Sequence, residues 1–312
     1  MKNAVIAKKT AQNLKIDGET FELLLARQRG ALLYANVDRS KYLRIGESAR
    51  IAKELKFHKQ ILAFGFPVAQ ILGEGKNGGF IYWIEESLGK EHFGDRFFRE
   101  TKEDGRILDD SFRAFLQIVK QAHDAQERIL ETKPIDSVAL AKGVGFEDIL
   151  LELPEEGDKL HLIWEKILAD LQGYPFCVTH GDFLPNNILE HGVIDFGDHF
   201  YGPAGYDIIN AITVAWWFPK EDGFEYRRRW SFTDQQIEEY FNLVSTYKEN
   251  KREWNILQKF DSLFFMRATW WAVRNHPAPK LQAWRYERYR ILINRLSKGE
   301  SLLDYWREHK DD

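Results

Sequence analysis

The sequence is poor in several features that commonly announce a function. It has one cysteine, Cys177, in 312 residues, so no internal disulfide can form, and this usage fits a reducing compartment. Cys177 sits in the apolar run Phe176-Cys177-Val178-Thr179 and reads as an inert core thiol. Long hydrophobic runs are also missing. The N-terminal MKNAVIAKKTAQNLK holds no apolar stretch of signal-peptide length, and no later segment reaches the ~20 apolar residues of a membrane span. A cytoplasmic protein with no membrane partner is the expectation. Neither sign of charge dominates. The 44 Lys and Arg against 48 Asp and Glu give a net charge of −4, which argues against a nucleic-acid-binding surface as the main function. There is no internal repeat or low-complexity tract. A glycine-rich phosphate loop is absent as well: GEGKNGGF, from Gly73, has no helix after it, and Gly78-Gly79 before alternating hydrophobics is a hairpin signal.

What is present is the composition of a globular protein, 44% hydrophobic and 29% charged, long enough for a sizeable core and two lobes. Residues 1–20 read as a polar arm or loose helix. Phe21 to Ala26, Ala31 to Asn36 and Tyr42 to Ile45 read as strands, with turns at Gly30 and Asp38-Arg39-Ser40. A helix follows from about Ser48, its N-cap, to Phe64, stopped by Gly65, with Ile51, Leu55, His58 and Leu62 as its buried stripe. Glu54 lies beside that stripe and wants a cationic partner, for which Arg44 on the third strand is the candidate. Phe66 to Leu72 and Phe80 to Ile84 are two more strands, and Glu85-Glu86-Ser87-Leu88-Gly89 a polar connector. From residue 90 the pattern turns helical. Ser111 to Gln126 carries Phe112, Phe115, Leu116, Val119 and His123 on one face, with His123 a packed core histidine. Lys133 to Gly145 reads as loop. Further helices are expected at about 159–172, 208–218, 251–275 and 280–297, with another opened by the capping box Thr233-Asp234-Gln235-Gln236 and carrying Ile237, Tyr240, Phe241, Val244 and Tyr247.

The most informative stretch is Phe176 to Asp207. A short buried strand leads to a turn at His180 to Asn186. Asn187-Ile188-Leu189 and Val193-Ile194-Asp195 then flank Glu190-His191-Gly192, read as a three-residue hairpin loop. In that register Asn187 faces Asp195, which puts an amide oxygen and a carboxylate about 5 Å apart at their β-carbons. Two hard oxygen donors at that separation suit Mg²⁺. Asp182, on the loop before them, is placed to meet a substrate hydroxyl.

His180-Gly181-Asp182, Asn187, Asp195-Phe196-Gly197-Asp198 and Gly202-Pro203-Ala204-Gly205-Tyr206-Asp207 together resemble the aminoglycoside phosphotransferase and choline kinase-like family. The resemblance implies an α+β, two-lobed protein kinase-like fold. Its small antiparallel β N-lobe is a nucleotide-binding lobe over 1–88. Its larger, mainly helical C-lobe, 89–312, carries the catalytic loop and acceptor site. It implies a phosphotransferase that uses ATP (GTP is possible) and Mg²⁺ to phosphorylate a small-molecule hydroxyl acceptor. Asp182 becomes the base, His180 a brace of its loop, and Asn187 and Asp195 the metal ligands. Arg44 contacts nucleotide phosphates and pairs with Glu54. Gly30 marks the nucleotide flap, and Glu85-Glu86 open the hinge that meets the adenine. Asp198 is a secondary candidate for metal or substrate, and Asp207 steadies the catalytic loop.

The acceptor stays open among amino sugars, choline-like alcohols, sugars and amino-acid-derived alcohols. Trp216-Trp217 and Trp270-Trp271 form either a cation–π cage or ordinary core, and Glu221, Asp222 and Glu225 either attract a polycation or are simply solvated. Two rival readings are a pseudokinase or nucleotide-dependent binding module, and a metallohydrolase built on His180, Asp182, His191, Asp195 and His199. The sequence leaves the oligomeric state open.

Overall fold

Asp17 and Gly18 take left-handed backbone conformations, φ 50° and 85°, and make the first two-residue hairpin turn. The structure, a computed structural model, describes residues 12–26, 31–213, 230, 232–244, 267 and 279–300. Gly30, the two tryptophan pairs, Glu221, Asp222, Glu225, Tyr247 and nearly all of the helix expected over 251–275 lie outside the described residues.

The Asp17-Gly18 turn joins β1 (Asn13–Ile16) to β2 (Glu19–Ala26). Of the polar arm expected over 1–20, residues 1–11 lie outside the described residues, and 13–20 form a hairpin with Ile16 buried instead; Asp17-Gly18 after the alternating Leu14 and Ile16 was the local signal for it. Four more strands, β3 (Ala31–Asn36), β4 (Lys41–Glu47), β5 (Ile71–Asn77) and β6 (Phe80–Glu86), complete a six-stranded antiparallel sheet in the order β1-β2-β3-β4-β6-β5. Alternation separates its faces. Phe21, Tyr34, Leu43, Ile45, Tyr82 and Ile84 build a core on one side. Ala31 and Trp83 on the other side pack against Ile51 and Leu55 of helix α1 (Ser48–Ala63).

Three boundaries differ from expectation. The strand read from Phe66 begins only at Ile71, because Phe66 to Gln70 is spent in a loop closed by Val68 N donating to Phe66 O at 2.8 Å. Glu85 and Glu86 belong to β6, not to a connector: Glu85 pairs with Tyr42 and Glu86 with Lys41. Their charge hid the strand, and cationic and backbone partners make it tolerable. The α1 N-cap is Glu47, not Ser48, and it makes no side-chain cap.

The chain divides into two compact units. One holds the described residues up to Glu91 together with Leu189–Ile194, and the other holds His92–Ile188 and the described residues from Asp195 on. The second unit is mainly helical: α2 (Phe93–Asp104), α3 (Asp109–Glu127), α4 (Ser137–Val144), α5 (Phe146–Glu152), α6 (Gly157–Asp170), α7 (Tyr206–Thr213), α8 (Asp234–Val244) and α9 (Pro279–Ser297). Helix α4 replaces the loop expected over 133–145. Asp136 accepts from Ala139 N at 2.9 Å as its N-cap, and Gly145 ends it at φ 75°. Phe93, Phe97, Phe112, Phe115 and Phe232 pack ring to ring with Trp230 and Tyr240, centroids 5.4–6.4 Å apart. The predicted capping box forms: Gln236 N donates to Thr233 Oγ1 and Thr233 N to Gln236 Oε1, both at 3.1 Å. Among the described residues no helix is long and apolar enough to cross a membrane.

Candidate active site

Strand β7 (Phe176–Thr179) pairs antiparallel with β10 (Phe200–Pro203), Thr179 opposite Phe200 and Cys177 opposite Gly202. The ladder brings together the two ends of the stretch singled out above. Cys177 is fully buried, as its apolar run suggested.

Beyond β7 the chain folds onto one carboxylate. Asp207, in the first turn of α7 and 2% exposed, accepts His180 N at 2.6 Å and Gln126 Nε2 at 2.6 Å on Oδ2, and Gly181 N at 3.1 Å on Oδ1. Gln126, the last buried residue of the α3 stripe, also donates to Val178 O at 3.1 Å. Burial pushes the Asp207 carboxyl upward in pKa, against the pull of the His180 and Gly181 amides and of Gln126. Turn amides in a buried loop need acceptors, and one aspartate supplies two of them.

Gly181 turns the chain at φ 81°. A β-carbon there would stand 2.1 Å from Asp198 O, so only glycine fits. His180, buried between the rings of Phe183 at 5.7 Å and Phe196 at 4.4 Å, accepts Asp182 N on Nδ1 at 3.2 Å. That bond leaves the imidazole hydrogen on Nε2. Asn187, the last residue of a 3₁₀ turn (Pro185–Asn187), donates Nδ2 to Asp182 O at 2.8 Å and to Asp182 Oδ2 at 3.0 Å. The structure thus joins His180, Gly181, Asp182, Asn187 and Asp207 in one hydrogen-bonded unit. Gly94 supports it from α2: a β-carbon there would meet the Asn186 amide at 2.7 Å.

The hairpin is tighter than expected. Strands β8 (Ile188–Leu189) and β9 (Gly192–Val193) leave only Glu190 and His191 in the turn. Asn187 and Asp195 therefore fall outside the ladder instead of facing each other within it. Gly192 is not the left-handed loop residue its position suggested. It is a strand glycine required by a close approach, because a β-carbon would lie 2.3 Å from Pro67 O. Val193 N donates to that same carbonyl at 2.7 Å and His191 N to Leu88 O at 2.9 Å. Leu189 and Ile194 pack with Ala69 and Leu88. Asp195 then takes the left-handed conformation, φ 62° and ψ 57°, rare for a residue with a β-carbon and concentrated at functional sites. Asp198, at the end of the 3₁₀ turn Phe196–Asp198, is exposed.

In the first unit, Arg44 Nε donates to Glu85 Oε1 at 2.8 Å and Trp83 Nε1 to Glu85 Oε2 at 2.9 Å. The register explains the cluster: Arg44 lies opposite Trp83, and Glu85, two residues on, shares their face. Burial alone would raise the Glu85 pKa, but the Arg44 charge and the Arg44 and Trp83 hydrogen bonds outweigh it and hold the carboxyl below its ordinary range. Sequence reasoning had named Glu85 for a backbone contact and missed its side chain. Glu54 lies half-buried on α1, and Glu86 Oε1 accepts Gln70 N at 3.0 Å.

Two residues of the second unit were missed. Gln126 carried a signal, a polar side chain on an apolar helical stripe. Arg267 carried none, since Nη1 donates to Gly143 O and Nη2 to Asp198 O, both backbone groups far away in sequence. Among the described residues no group of three His, Cys, Asp or Glu side chains gathers as a metal cluster.

A model of the phosphotransferase enzyme family (APH) matches residues 31–242. The chain belongs to that family. Solved structures similar to this phosphotransferase include Plasmodium vivax ethanolamine kinase (12% identity, 89% of this chain and 83% of that one, TM-score 0.55). A thermostable mutant of aminoglycoside phosphotransferase APH(4)-Ia matches at 15% identity over 94% and 98% of the two chains, TM-score 0.52. A choline/ethanolamine kinase family protein from Mesorhizobium loti matches at 12% identity over 88% and 87%, TM-score 0.52. These likenesses show the fold: the phosphotransferase has the α+β, protein kinase-like architecture expected from the sequence, an antiparallel β N-lobe and a helical C-lobe. No curated protein matches the chain.

Proposed function

We propose that this phosphotransferase is a small-molecule kinase that moves the γ-phosphoryl group of ATP to a hydroxyl of its acceptor with Mg²⁺. The observation that carries the reading is the pair of hydrogen bonds that Asn187 Nδ2 donates to Asp182 O and Oδ2. It fixes the carboxylate beside the residue whose remaining amide oxygen suits a hard cation.

Asp182 aligns the acceptor hydroxyl and takes its proton on a carboxylate oxygen as that hydroxyl oxygen bonds to the γ-phosphorus and the bond from the γ-phosphorus to the bridging oxygen breaks, releasing ADP. Asn187 Nδ2 holds that carboxylate in one rotamer. His180, packed between two phenylalanines, and Asp207, through two backbone amides, set the course of the loop. The donor set fits Mg²⁺: an Asn187 Oδ1 whose partner nitrogen is spent on Asp182, and an Asp195 carboxylate on a strained backbone. Bound there, the cation would neutralise charge on the phosphate oxygens. Arg44, its Nε oriented by Glu85, holds phosphate oxygens. In this reading residues 1–88 serve the nucleotide, and residues 89–312 serve catalysis and the acceptor. Glu54, Glu86 and the Gly30 flap keep nucleotide-side roles, and Asp198 a secondary one. The named relatives suggest amino alcohols and amino sugars as acceptors.

The test is an ATP-consumption screen with Mg²⁺ over ethanolamine, choline, aminoglycosides, sugars and nucleosides. Acceptor-dependent ADP release with a phosphorylated product is expected. Tight nucleotide binding without transfer to any of these would favour a binding module.

A further inference from the structure

We propose that Arg267 is a positioning residue that holds the Asp195–Asp198 segment against the catalytic loop, an inference that rests on the phosphotransfer reading above. Its side chain is buried, 3% exposed. Nη1 donates to Gly143 O and Nη2 to Asp198 O, and the guanidinium carbon lies 5.0 Å from the centre of the Phe200 ring.

Each partner gives the arrangement a reason. Gly143 is in the last turn of α4, where carbonyls have no intrahelical donor and the helix dipole favours a cation. The α4 cap amide goes to Ala141 O and Lys142 O, which leaves Gly143 O to the arginine. Asp198 O is also the atom that Gly181 abuts: a β-carbon on Gly181 would be 2.1 Å from it and 2.8 Å from Arg267 Nη2. One planar fork therefore reaches the end of α4 and the end of the segment that begins at Asp195, beside the residue that precedes Asp182. Gly143 seats Phe200 closely as well, with an added β-carbon 2.8 Å from Cδ2, so the ring and the guanidinium brace the same corner. Lysine, with a single ammonium, cannot span two carbonyls in this fixed geometry.

Arg267 acts on the proposed cation site through the backbone. Loss of a partner bonded directly to a metal ligand typically weakens metal affinity about 10- to 100-fold, and a brace on the backbone three residues from Asp195 belongs at the low end of that range. The test uses full-length wild type, Arg267→Lys and Arg267→Met, each checked for a cooperative melt. Nucleotide binding is titrated with Mg²⁺, and kcat and KM are measured with the best acceptor. Arg267→Met should need about tenfold more Mg²⁺ for half-maximal binding, with lower kcat and unchanged affinity for metal-free nucleotide, and Arg267→Lys should fall between. A folded Arg267→Met with wild-type Mg²⁺ dependence overturns the proposal. If neither variant folds, hydrogen exchange on the wild type decides. Mg²⁺ and ATP should slow exchange in peptides covering 196–200 and 143–146 together, and protection confined to the first overturns it. A wild type whose nucleotide binding ignores Mg²⁺ refutes the kinase reading itself, and this inference with it.

Discussion

Arg44 and Glu85, on adjacent antiparallel strands, form an ion pair at 2.8 Å with side chains 20% and 7% exposed. Breaking such a pair from one side leaves a charge without its partner. Glu85→Gln should cost about 3 kcal/mol of unfolding free energy at neutral pH. The folded-state pKa of Glu85 lies below its ordinary 4.5. The stabilisation is therefore complete above that value and lost as pH falls through the lower, folded one. Urea unfolding of wild type and variant should show a gap that closes on acidification. A gap that does not narrow at any acidic pH below the ordinary carboxylate range would contradict this account of the pair.

Asp207→Asn replaces one acceptor oxygen with a donor facing either the His180 amide, bound by Oδ2, or the Gly181 amide, bound by Oδ1. The cost should be about 1–3 kcal/mol for unsatisfied buried donors. A fall in kcat should go with it, since those amides carry the loop that ends at Asp182. Chemical denaturation and steady-state kinetics on one preparation check both.

Gly192→Ala puts a β-carbon 2.3 Å from Pro67 O, in competition with the hydrogen bond from Val193. A loss of about 1–3 kcal/mol is expected from overpacking. A melting temperature equal to wild type would show that the hairpin seats less closely.

Much of this was legible locally. The Thr233–Gln236 box, the β3 to α1 succession and the Asp182 loop each follow from residues near in sequence. What was not legible depended on distant partners or on one residue of register. The hairpin reading failed because a glycine at a turn suggests positive φ, whereas Gly192 is there for a carbonyl from residue 67. Glu85 was misread because charge argues against a buried strand, and only pairing with the strand of Arg44 reverses that. Gln126 and Arg267 answer to backbone groups 52 and 124 residues away, which no local pattern encodes.

Thr233→Ala removes the cap oxygen that Gln236 N uses. About 1 kcal/mol should be lost with kcat and KM unchanged, because the capping bond that is lost joins Thr233 only to Gln236 of its own helix. A kinetic change would mean that α8 takes part in acceptor binding.

The most direct test of the central claim is Asp182→Ala assayed for acceptor phosphorylation and, in the same preparation, for Mg²⁺-dependent ATP binding. The account predicts that kcat falls by about 10³-fold or more while ATP binds as in wild type. Wild-type turnover in that variant would contradict it.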